Sequence, residues 1–362
     1  MATQDGTWRY RNRYFERFGR AYFRRFGDQT VTSIGVGTYL GEPTDAVDEA
    51  YYDAIVTALQ SGCNVVDTAI NYRNQRSERV VGEALEAADV ERDEILLSTK
   101  GGFVPFDDDR PESPGAYIKS EYVDSGLVSR DGLAHGSHCI APDYIDDQLD
   151  RSLSNLDLDT IDLYYVHNPE TQLDVRSPEG VYDQLEATFT RLEERAAAGD
   201  INHYGVATWD AFRVPKEHEH YLSIVEVVSR ARKAARAAGN TATHFRAIQL
   251  PFNVRMADAF TEESHDGPDG SQSALWFARE AGLNVFTSAS LLQGKLATDL
   301  PEAVAAQLPG ETTAQRALNF ARSAPGVTCS LVGMSSPAHV EENLKAGEGD
   351  AMGARAFDAI FE

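Results

Sequence analysis

The chain has few cysteines and no long apolar run. Its 362 residues include only Cys63, Cys139 and Cys329, which are widely spaced and form no CxxC pair. Metal centres and disulfide frameworks use paired spacings, so we expect neither a metal ion nor a disulfide. No run of about 18 apolar residues occurs, which argues against a membrane-spanning helix. The first residues lack the apolar stretch of a secretory signal, and we therefore expect a cytoplasmic protein.

Lysine is scarce and acid is abundant. Lys plus Arg number 33 and Asp plus Glu 57, which gives a net charge of −24, and only six of the basic residues are lysine. So negative a surface disfavours nucleic acid and anionic membranes as partners. The combination is typical of proteins from salt-loving (halophilic) organisms, and we interpret it as salt adaptation. An acidic enzyme of ordinary salt tolerance is the alternative.

Short apolar runs alternate with longer amphipathic stretches along the whole chain. The predicted strands are Val31–Val36, Asn64–Val66, Ile95–Ser98, Ile161–Val166, Asn202–Val206, Ala247–Leu250, Asn284–Thr287 and Val327–Val332. The predicted helices between and after them are Asp45–Ser61, Ser77–Ala88, Asp143–Asn155, Gly180–Ala198, Leu222–Ala238, Ser273–Ala281, Thr312–Ser323 and Pro337–Lys345. Such crossovers indicate a parallel sheet of the α/β class. The chain has eight such strand–helix units, and the turn after its first strand lacks the third glycine of GxGxxG. Both observations favour a (β/α)8 TIM barrel over an open sheet.

Two segments stand apart from this alternation. Residues 1–30 are rich in arginine and aromatics, and we expect an extension that packs on the bottom of a single barrel domain, residues 31–362. A nucleic-acid or membrane contact is the alternative. Residues 101–141 form the longest irregular stretch and leave the third strand at its carboxyl end, so we predict an active-site loop; a disordered insertion is the alternative. Its aromatics and one further ring could line an apolar pocket or pack in the scaffold: Phe103, Phe106, Tyr117, Tyr122 and Trp209.

Polar side chains follow the ends of three successive predicted strands. Asp67 comes directly after the second strand, with Tyr72 five residues later. Lys100 follows the third strand and His167 the fourth. The carboxyl ends of parallel strands meet at one face of a barrel, so these four groups are expected to converge there. A lone histidine in such a place is more often a core residue, but four complementary groups together predict a catalytic site.

This set of groups suits acid catalysis on a carbonyl. A free phenol has a pKa near ~10, and an ammonium beside Tyr72 is expected to lower that pKa. Asp67 would keep Lys100 charged, and His167 would orient the substrate oxygen. Hydride transfer to the carbonyl carbon develops negative charge on oxygen, which Tyr72 and His167 would neutralise. Tyr72 is therefore predicted to be the general acid and base.

These segments resemble the aldo-keto reductase superfamily. The stretch 67–72, DTAINY, resembles the family's DTA-x-x-Y segment, which the following RSE at 76–78 continues. The segments 98–100 and 166–167 are similar to its lysine and histidine segments, and the resemblance extends from about Val31 to Leu344. It implies an oxidoreductase that transfers hydride between NAD(P) and a carbonyl or alcohol, with Asp67, Tyr72, Lys100 and His167 as its catalytic residues.

The resemblance also implies a cofactor site that follows the chain from nicotinamide to adenosine. The nicotinamide half would contact Gly37, Thr38, Tyr39, Asp67, Thr208 and Gln249. The pyrophosphate loop would supply Ser288, Leu291, Gly294 and Lys295. The adenosine-phosphate segment would supply Gly333, Ser335, Ser336, His339, Glu342 and Asn343.

Two departures from the family pattern bear on the cofactor. Thr208 stands where many relatives have an amide side chain, so it offers a hydroxyl instead. Many relatives also carry cations where this chain has Gly333 and His339, and those cations hold the 2′-phosphate of NADP. Charge-assisted hydrogen bonds of that kind are lost here. NADP(H) is the family's usual cofactor, and NAD(H) is the alternative.

Three function classes are compatible with these residues. The first is an NAD(P)-dependent reductase or dehydrogenase acting on a small aldehyde, ketone, alcohol or aldose. The second is a non-catalytic, nucleotide-sensing or regulatory protein on the same fold, which the intact four-residue set disfavours. The third is an unrelated barrel enzyme that uses Lys100 as a Schiff base, which needs a depressed lysine pKa and is disfavoured by a carboxylate partner at Asp67.

Overall fold

The strands are defined by a computed structural model that describes residues 1–267 and 270–361. They are β1 (Phe23–Phe26), β2 (Gln29–Thr32), β3 (Ile34–Gly37), β4 (Val65–Asp67), β5 (Leu96–Gly101), β6 (Ile161–His167), β7 (Ile201–Ala207), β8 (Phe245–Pro251), β9 (His265–Gly267), β10 (Gly270–Gln272), β11 (Asn284–Ser288) and β12 (Val327–Gly333). Eight parallel strands close into a barrel in the order β3-β4-β5-β6-β7-β8-β11-β12. The predicted TIM barrel is confirmed.

Helices cover the outside of the barrel and several loops. They are α1 (Gln4–Tyr14), α2 (Asp45–Gln60), α3 (Arg76–Ala87), α4 (Pro114–Ile118), α5 (Pro142–Leu156), α6 (Pro178–Ala198), α7 (Ile224–Ala237), α8 (Asp258–Thr261), α9 (Ala274–Glu280), α10 (Glu302–Ala305), α11 (Thr313–Ser323), α12 (Pro337–Glu348) and α13 (Ala354–Asp358). Capping explains where they begin and end: Ser177 accepts from the Gly180 amide at the start of α6, and Gly199 ends it with a φ of 93°.

The predicted first strand, Val31–Val36, is wrong as a single element. It is two strands, because β2 ends at Thr32 in an antiparallel hairpin with β1 and the barrel strand begins at Ile34. Phe26 and Val31 of the hairpin pack among the side chains that fill the barrel interior. The apolar pattern runs on through the bend because both strands bury their apolar side chains, Val31 in the barrel interior and Ile34 and Val36 in the larger core outside it, so periodicity could not separate them.

The N-terminal segment lies at the bottom of the barrel, where the strands begin. The guanidinium groups of Arg9 and Arg13 both bind the buried Glu94 carboxylate at 2.8 Å, and Arg17 binds Glu348 at 2.9 Å. The side chain of Tyr10 is buried and donates to the carbonyl oxygen of Leu59 at 2.6 Å. Arginine and aromatic side chains of this segment therefore contact the body of the barrel.

The stretch between β5 and α5 has structure of its own. It contains α4 and a wide helical turn at Lys119–Val123. Tyr122 is buried against Tyr144 of α5, with ring centroids 5.8 Å apart. Arg79 of α3 binds Asp107 at 2.5 Å and Asp108 at 2.6 Å, which ties the near end of the loop to the barrel. The irregular stretch expected here is thus an ordered, anchored loop.

None of the helices among residues 1–267 and 270–361 has both the length and the apolar character needed to cross a membrane.

Candidate active site

The four candidate catalytic side chains meet at the carboxyl ends of neighbouring strands. Asp67 is the last residue of β4 and lies opposite Ser98 of β5 in the parallel register. Two residues further along β5, Lys100 points to the same side as Ser98, because side chains alternate along a strand. His167 is the last residue of β6. Strand register alone therefore brings the carboxylate, ammonium and imidazole to one face.

Asp67 is the centre of a buried hydrogen-bond network. Its Oδ2 accepts from Lys100 Nζ at 2.6 Å, and its Oδ1 accepts from Ser98 Oγ at 2.7 Å and Gln249 Nε2 at 2.9 Å. Lys100 Nζ also donates to the carbonyl oxygen of Thr68 at 2.7 Å. Lys100 is fully buried. A buried ion pair needs this many satisfied partners, so the Lys100 ammonium is held in a single position.

Tyr72 lies over this ion pair and beside His167. The Lys100 Nζ lies 4.9 Å from the centroid of the Tyr72 ring. The Tyr72 and His167 ring centroids are 6.1 Å apart. His167 also meets Phe103 edge-to-face at 5.1 Å, and its Nδ1 is buried without a hydrogen-bond partner among the described residues. Phenol and imidazole thus line one opening, and the ammonium lies beneath it.

The electrostatics correct one expectation. Removal from water raises the pKa of Tyr72 above its usual range, and the Lys100 ammonium offsets this only in part. Burial lowers the pKa of Lys100, but Asp67 and Tyr72 together outweigh it, so that pKa also lies above its usual value. Burial, then the charge of Lys100, holds the pKa of His167 well below its usual value. The site contains a neutral imidazole, a protonated phenol and a charged lysine, which disfavours Schiff-base chemistry at Lys100.

A cavity of about 470 Å³ opens from this cluster toward the start of α12. Eleven of the predicted cofactor positions line it: Gly37, Thr38, Tyr39, Asp67, Gln249, Ser288, Leu291, Gly294, Gly333, Ser335 and His339. Tyr72 lines the same cavity. Residues that the sequence did not single out complete the wall, among them Leu40, Gly41, Val47, Ala50, Tyr51 and Gln293.

Five predicted cofactor positions do not line the cavity. The Thr208 hydroxyl lies 3.5 Å from the carbonyl oxygen of Gln249, so it faces the neighbouring strand. Lys295 is exposed, and Ser336 caps α12 by accepting from the His339 amide at 3.3 Å. Glu342 and Asn343 lie further along α12. None of these five positions forms part of the cavity wall.

The cavity suits a nicotinamide dinucleotide in size and in lining. Ligand pockets usually measure roughly 300–1,000 Å³. At Gly333 the cavity is bordered by backbone alone. A Cβ added there would have Leu40 as its nearest neighbour, at 3.9 Å. Asn343 is buried, and its Oδ1 has no hydrogen-bond partner among the described residues, so it can accept from an adenine amino group. Amides at the start of α12 suit a phosphate.

Comparison with known families decides which barrel this is. The model of the aldo/keto reductase family matches residues 33–230, more than half of the chain. The chain belongs to the aldo/keto reductase family. It is therefore an enzyme, an NAD(P)-dependent oxidoreductase, and the regulatory alternative is not favoured.

Two relatives and one solved structure show how far the likeness reaches. A protein of Schizosaccharomyces pombe, named as a candidate voltage-gated potassium channel β subunit, is 25% identical over 88% of this chain and 85% of its own length. The NADH-specific methylglyoxal reductase of Escherichia coli is 27% identical over 55% of this chain and 55% of its own length. An aldo-keto reductase of Klebsiella pneumoniae in complex with NADPH has a TM-score of 0.62 at 19% identity and covers 94% of both chains, which shows the fold alone.

The aromatic residues of this aldo/keto reductase fall into two groups. Phe106, Tyr117 and Tyr122 form a chain of ring contacts that packs in the scaffold. Phe103 instead contacts the ring of His167, and Trp209 is 43% exposed after β7. Of these five aromatic residues, Phe103 and Trp209 are therefore the two placed to contribute an apolar wall at the mouth of the barrel.

Sequence reasoning missed Ser98 and His138. Ser98 lies two residues before Lys100 on the same strand, and that spacing could have identified it as a partner of Asp67. His138 is buried in the loop after β5; its Nε2 lies 2.8 Å from the carbonyl oxygen of His167. No sequence signal marks His138, because loop folding alone brings it there.

Proposed function

We propose that the chain reduces small carbonyl compounds, aldehydes, ketones or aldoses, with Tyr72 as the proton donor, and runs the reverse oxidation with Tyr72 as the base. The observation that carries the proposal is the buried Asp67–Lys100 pair beneath Tyr72, at the mouth of a dinucleotide-sized cavity. When bound, the nicotinamide supplies or accepts hydride at the carbonyl carbon. Reduction also requires a proton on the carbonyl oxygen, and a side chain of this protein donates that proton.

Each catalytic side chain has a distinct role in moving that proton. Tyr72 keeps its proton in the resting enzyme, because partial burial raises its pKa. Giving the proton away leaves a phenolate, which the charge of Lys100 stabilises. Asp67 keeps Lys100 charged and in place. The neutral imidazole of His167 positions the substrate oxygen by hydrogen bonding, which its low pKa permits without a competing charge.

Residues that line the cavity would hold the cofactor along its length. The strand ends at Gly37–Tyr39 and Gln249 border the nicotinamide half, and Ser335 and His339 border the phosphates. Gln249 already donates to Asp67, so its carbonyl oxygen is the group left for a carboxamide. Among the residues that the structure describes, no lysine or arginine lines the cavity. NADP(H) is the cofactor of the family, and NAD(H) is the alternative that the lack of lysine and arginine in this part of the wall supports.

Residues 101–141 are proposed to form the substrate side of the site. Phe103 contacts the His167 ring, and His138 holds the backbone of the same residue. Residues 1–30 are proposed as the packed extension, and residues 31–362, which include this loop, as the single catalytic barrel. The name of the Escherichia coli relative makes methylglyoxal a suitable first substrate.

Composition supports two further proposals about the protein's setting. The net charge of −24 with six lysines supports adaptation to high salt. With few basic residues, one cation pairs with several acids: Arg230 binds the carboxylates of Glu179, Asp183, Glu186 and Glu226. The three cysteines are buried and free, as in a reducing cytoplasm. A melting series from low to molar KCl tests the first proposal, which predicts a rising midpoint.

The experiment that tests the function is a binding and turnover series at high salt. NADPH and NADH are titrated separately while tryptophan fluorescence is followed, and methylglyoxal is then added to the preferred complex. We expect saturable quenching and oxidation of the nucleotide. Failure of either nucleotide to bind a demonstrably folded sample would contradict a redox role.

A further inference from the structure

The segment directly after Tyr72 has an unusual backbone. Arg73, Asn74 and Gln75 have φ values of 46°, 55° and 71°, so three successive residues with side chains adopt the left-handed conformation. Side chains clash with the backbone in this region, and asparagine tolerates it better than arginine or glutamine. Such strain persists only where surrounding contacts hold it, and it concentrates at functional sites. What holds this turn is therefore informative.

Arg73 holds the turn from the side of α2. Its Nη1 donates to Asp48 Oδ1, and its guanidinium carbon lies 4.9 Å from the centroid of the Tyr51 ring. Its Nε donates to Ser77 Oγ at 3.0 Å, and Ser77 Oγ donates to the carbonyl oxygen of Thr38 at 3.1 Å. Only 1% of the Arg73 side chain is exposed. A long charged side chain is buried this completely only when its contacts fix it in place.

The same helix forms the wall of the cofactor cavity. Val47, Ala50 and Tyr51 of α2 line that cavity. Asp48 and Tyr51, which Arg73 contacts, lie on this helix. Arg73 is the next residue after Tyr72, so its side chain connects the cavity wall to the backbone that carries the catalytic phenol.

The loop after β5 holds the other end of the turn. Gln75 Nε2 donates to the carbonyl oxygen of Phe106 at 2.8 Å. Asn74 and Asp108 are joined twice, with Asn74 Nδ2 donating to the Asp108 carbonyl and the Asp108 amide donating to the Asn74 carbonyl, both at 3.1 Å. The turn is thus held between the cofactor side and the substrate side of the barrel.

We propose that Arg73 is a positioning residue: by holding the left-handed turn Arg73–Gln75 against α2, it sets the place of the Tyr72 phenol relative to Lys100 and His167. The proposal rests on the function proposed above for Tyr72. Arg73 touches neither the reacting atoms nor the cavity, so its effect on turnover passes through Tyr72. Displacement of a catalytic group by about 1 Å can lower turnover about 100-fold.

Three variants at this position separate the contacts from the strain. Arg73→Ala removes the contacts and leaves a side chain at positive φ. Arg73→Gly removes the contacts and the strain, because glycine adopts this conformation freely. Arg73→Lys keeps the charge near Asp48 but loses the planar fork. The matched control is Arg76→Gln, since Arg76 binds the same Asp48 carboxylate but lies outside the turn.

Each variant is examined for kcat and KM with methylglyoxal, for the Kd of NADPH, for the pH dependence of kcat and for urea stability. We expect kcat to fall about 100-fold in both Arg73→Ala and Arg73→Gly, with the Kd of NADPH changed by less than about threefold. The pH limb of kcat that reports Tyr72 should shift in both. Arg73→Gly should be at least as stable as Arg73→Ala, Arg73→Lys should recover part of kcat, and Arg76→Gln should resemble the wild type.

The proposal is overturned if Arg73→Gly turns over like the wild type, or if the Arg73 variants lose no more kcat than Arg76→Gln. It is also overturned if the Kd of NADPH weakens as much as kcat falls, because Arg73 would then act on the cavity. Should Arg73→Ala fail to fold, the unstrained Arg73→Gly carries the test. Absence of turnover in the wild type contradicts the proposed function itself, which keeps the two failures distinct.

Discussion

A saturated hydrogen-bond network at the bottom of the barrel contrasts with the candidate active site at its mouth. At the bottom, where strands begin, each polar atom of several buried side chains is bonded. Asn64 accepts from the Thr32 amide and donates to two carbonyl oxygens. Glu193 accepts from Tyr204, Thr243, His244 and Asn240 through its two oxygens. Such saturated networks stabilise the fold and leave nothing for a ligand.

At the mouth, where strands end, buried polar atoms are left unpaired among the described residues. Thr68 Oγ1, Asn71 Oδ1, His167 Nδ1, Glu170 Oε2 and Asn343 Oδ1 all lack a hydrogen-bond partner there. An unpaired buried polar group costs about 1–3 kcal/mol. Such atoms also occur elsewhere, for example at Gln29, Arg92 and His203, but Thr68 and Asn71 directly adjoin Asp67 and Tyr72, and His167 is itself a candidate catalytic residue. The difference between the ends teaches that stability and function are separated along the barrel axis, as in other TIM barrels.

The largest effect should come from removing one oxygen at the mouth. Tyr72→Phe deletes the proton donor and should lower kcat by about 10²–10⁴-fold, while the Kd of NADPH changes little. Tyr164→Phe is the matched control, because this phenol on β6 is buried, has no hydrogen-bond partner among the described residues and lies outside the site. Steady-state kinetics and fluorescence titration check both. Near-normal turnover in Tyr72→Phe would contradict the account.

A substitution in the network at the bottom of the barrel should lower stability without lowering turnover. Glu193→Ala leaves five donor groups on four buried or half-buried residues without this acceptor, and we expect the free energy of unfolding to fall by about 3 kcal/mol. Activity per folded molecule should stay unchanged. Urea unfolding and kcat at a permissive temperature measure the two quantities. A large loss of kcat without loss of stability would break the separation between the ends.

The same carboxylate predicts a pH dependence. Burial alone would raise the pKa of Glu193, but hydrogen bonds from His244, Thr243 and Asn240 outweigh it and lower that pKa to about 2. A depressed carboxyl pKa stabilises the fold above the unfolded value of about 4.3 and loses that contribution as pH falls toward 2. The wild type should therefore lose more unfolding free energy than Glu193→Ala between pH 5 and pH 2, a window of about three units. Equal losses would contradict this role.

A third effect concerns the loop at the mouth. Replacing residues 110–131 by a short glycine linker keeps Phe103 and His138 but removes most of the loop. We expect KM values to change about tenfold and the order of preferred carbonyl substrates to change, with the Kd of NADPH nearly constant. A substrate panel with NADPH titration measures this. Equal weakening of substrate and cofactor would argue against a substrate-side loop.

The smallest effect is expected at the far end of the cavity. His339→Arg adds a permanent cation at the start of α12, where His339 is exposed. Because exposed ion pairs contribute less than about 1 kcal/mol, NADPH should bind about fivefold more tightly and NADH should be unaffected. His339→Gln is the control. A gain for both nucleotides would show that His339 does not lie near a 2′-phosphate.

The architecture and the catalytic cluster could be predicted because both follow from local pattern. Apolar periodicity marks each strand, and a polar residue at a strand end must face the mouth, as Asp67 and His167 do. The hairpin β1–β2 could not be predicted, since Val31 continues the pattern of the barrel strand. The direction of the Tyr72 pKa shift could not be predicted either, because it depends on how much water the folded loop excludes. The left-handed turn at Arg73 lacks the glycine that usually signals one.

The central claim is that hydride and proton meet at one carbonyl beside Tyr72. The most direct test is label transfer from NADPH carrying deuterium at the reactive face of nicotinamide C4, with methylglyoxal as acceptor and mass spectrometry of the product. The account predicts one deuterium on the new carbinol carbon with the wild type and almost none with Tyr72→Phe in the same time. Deuterium found in solvent instead, or equal label with both proteins, would contradict it.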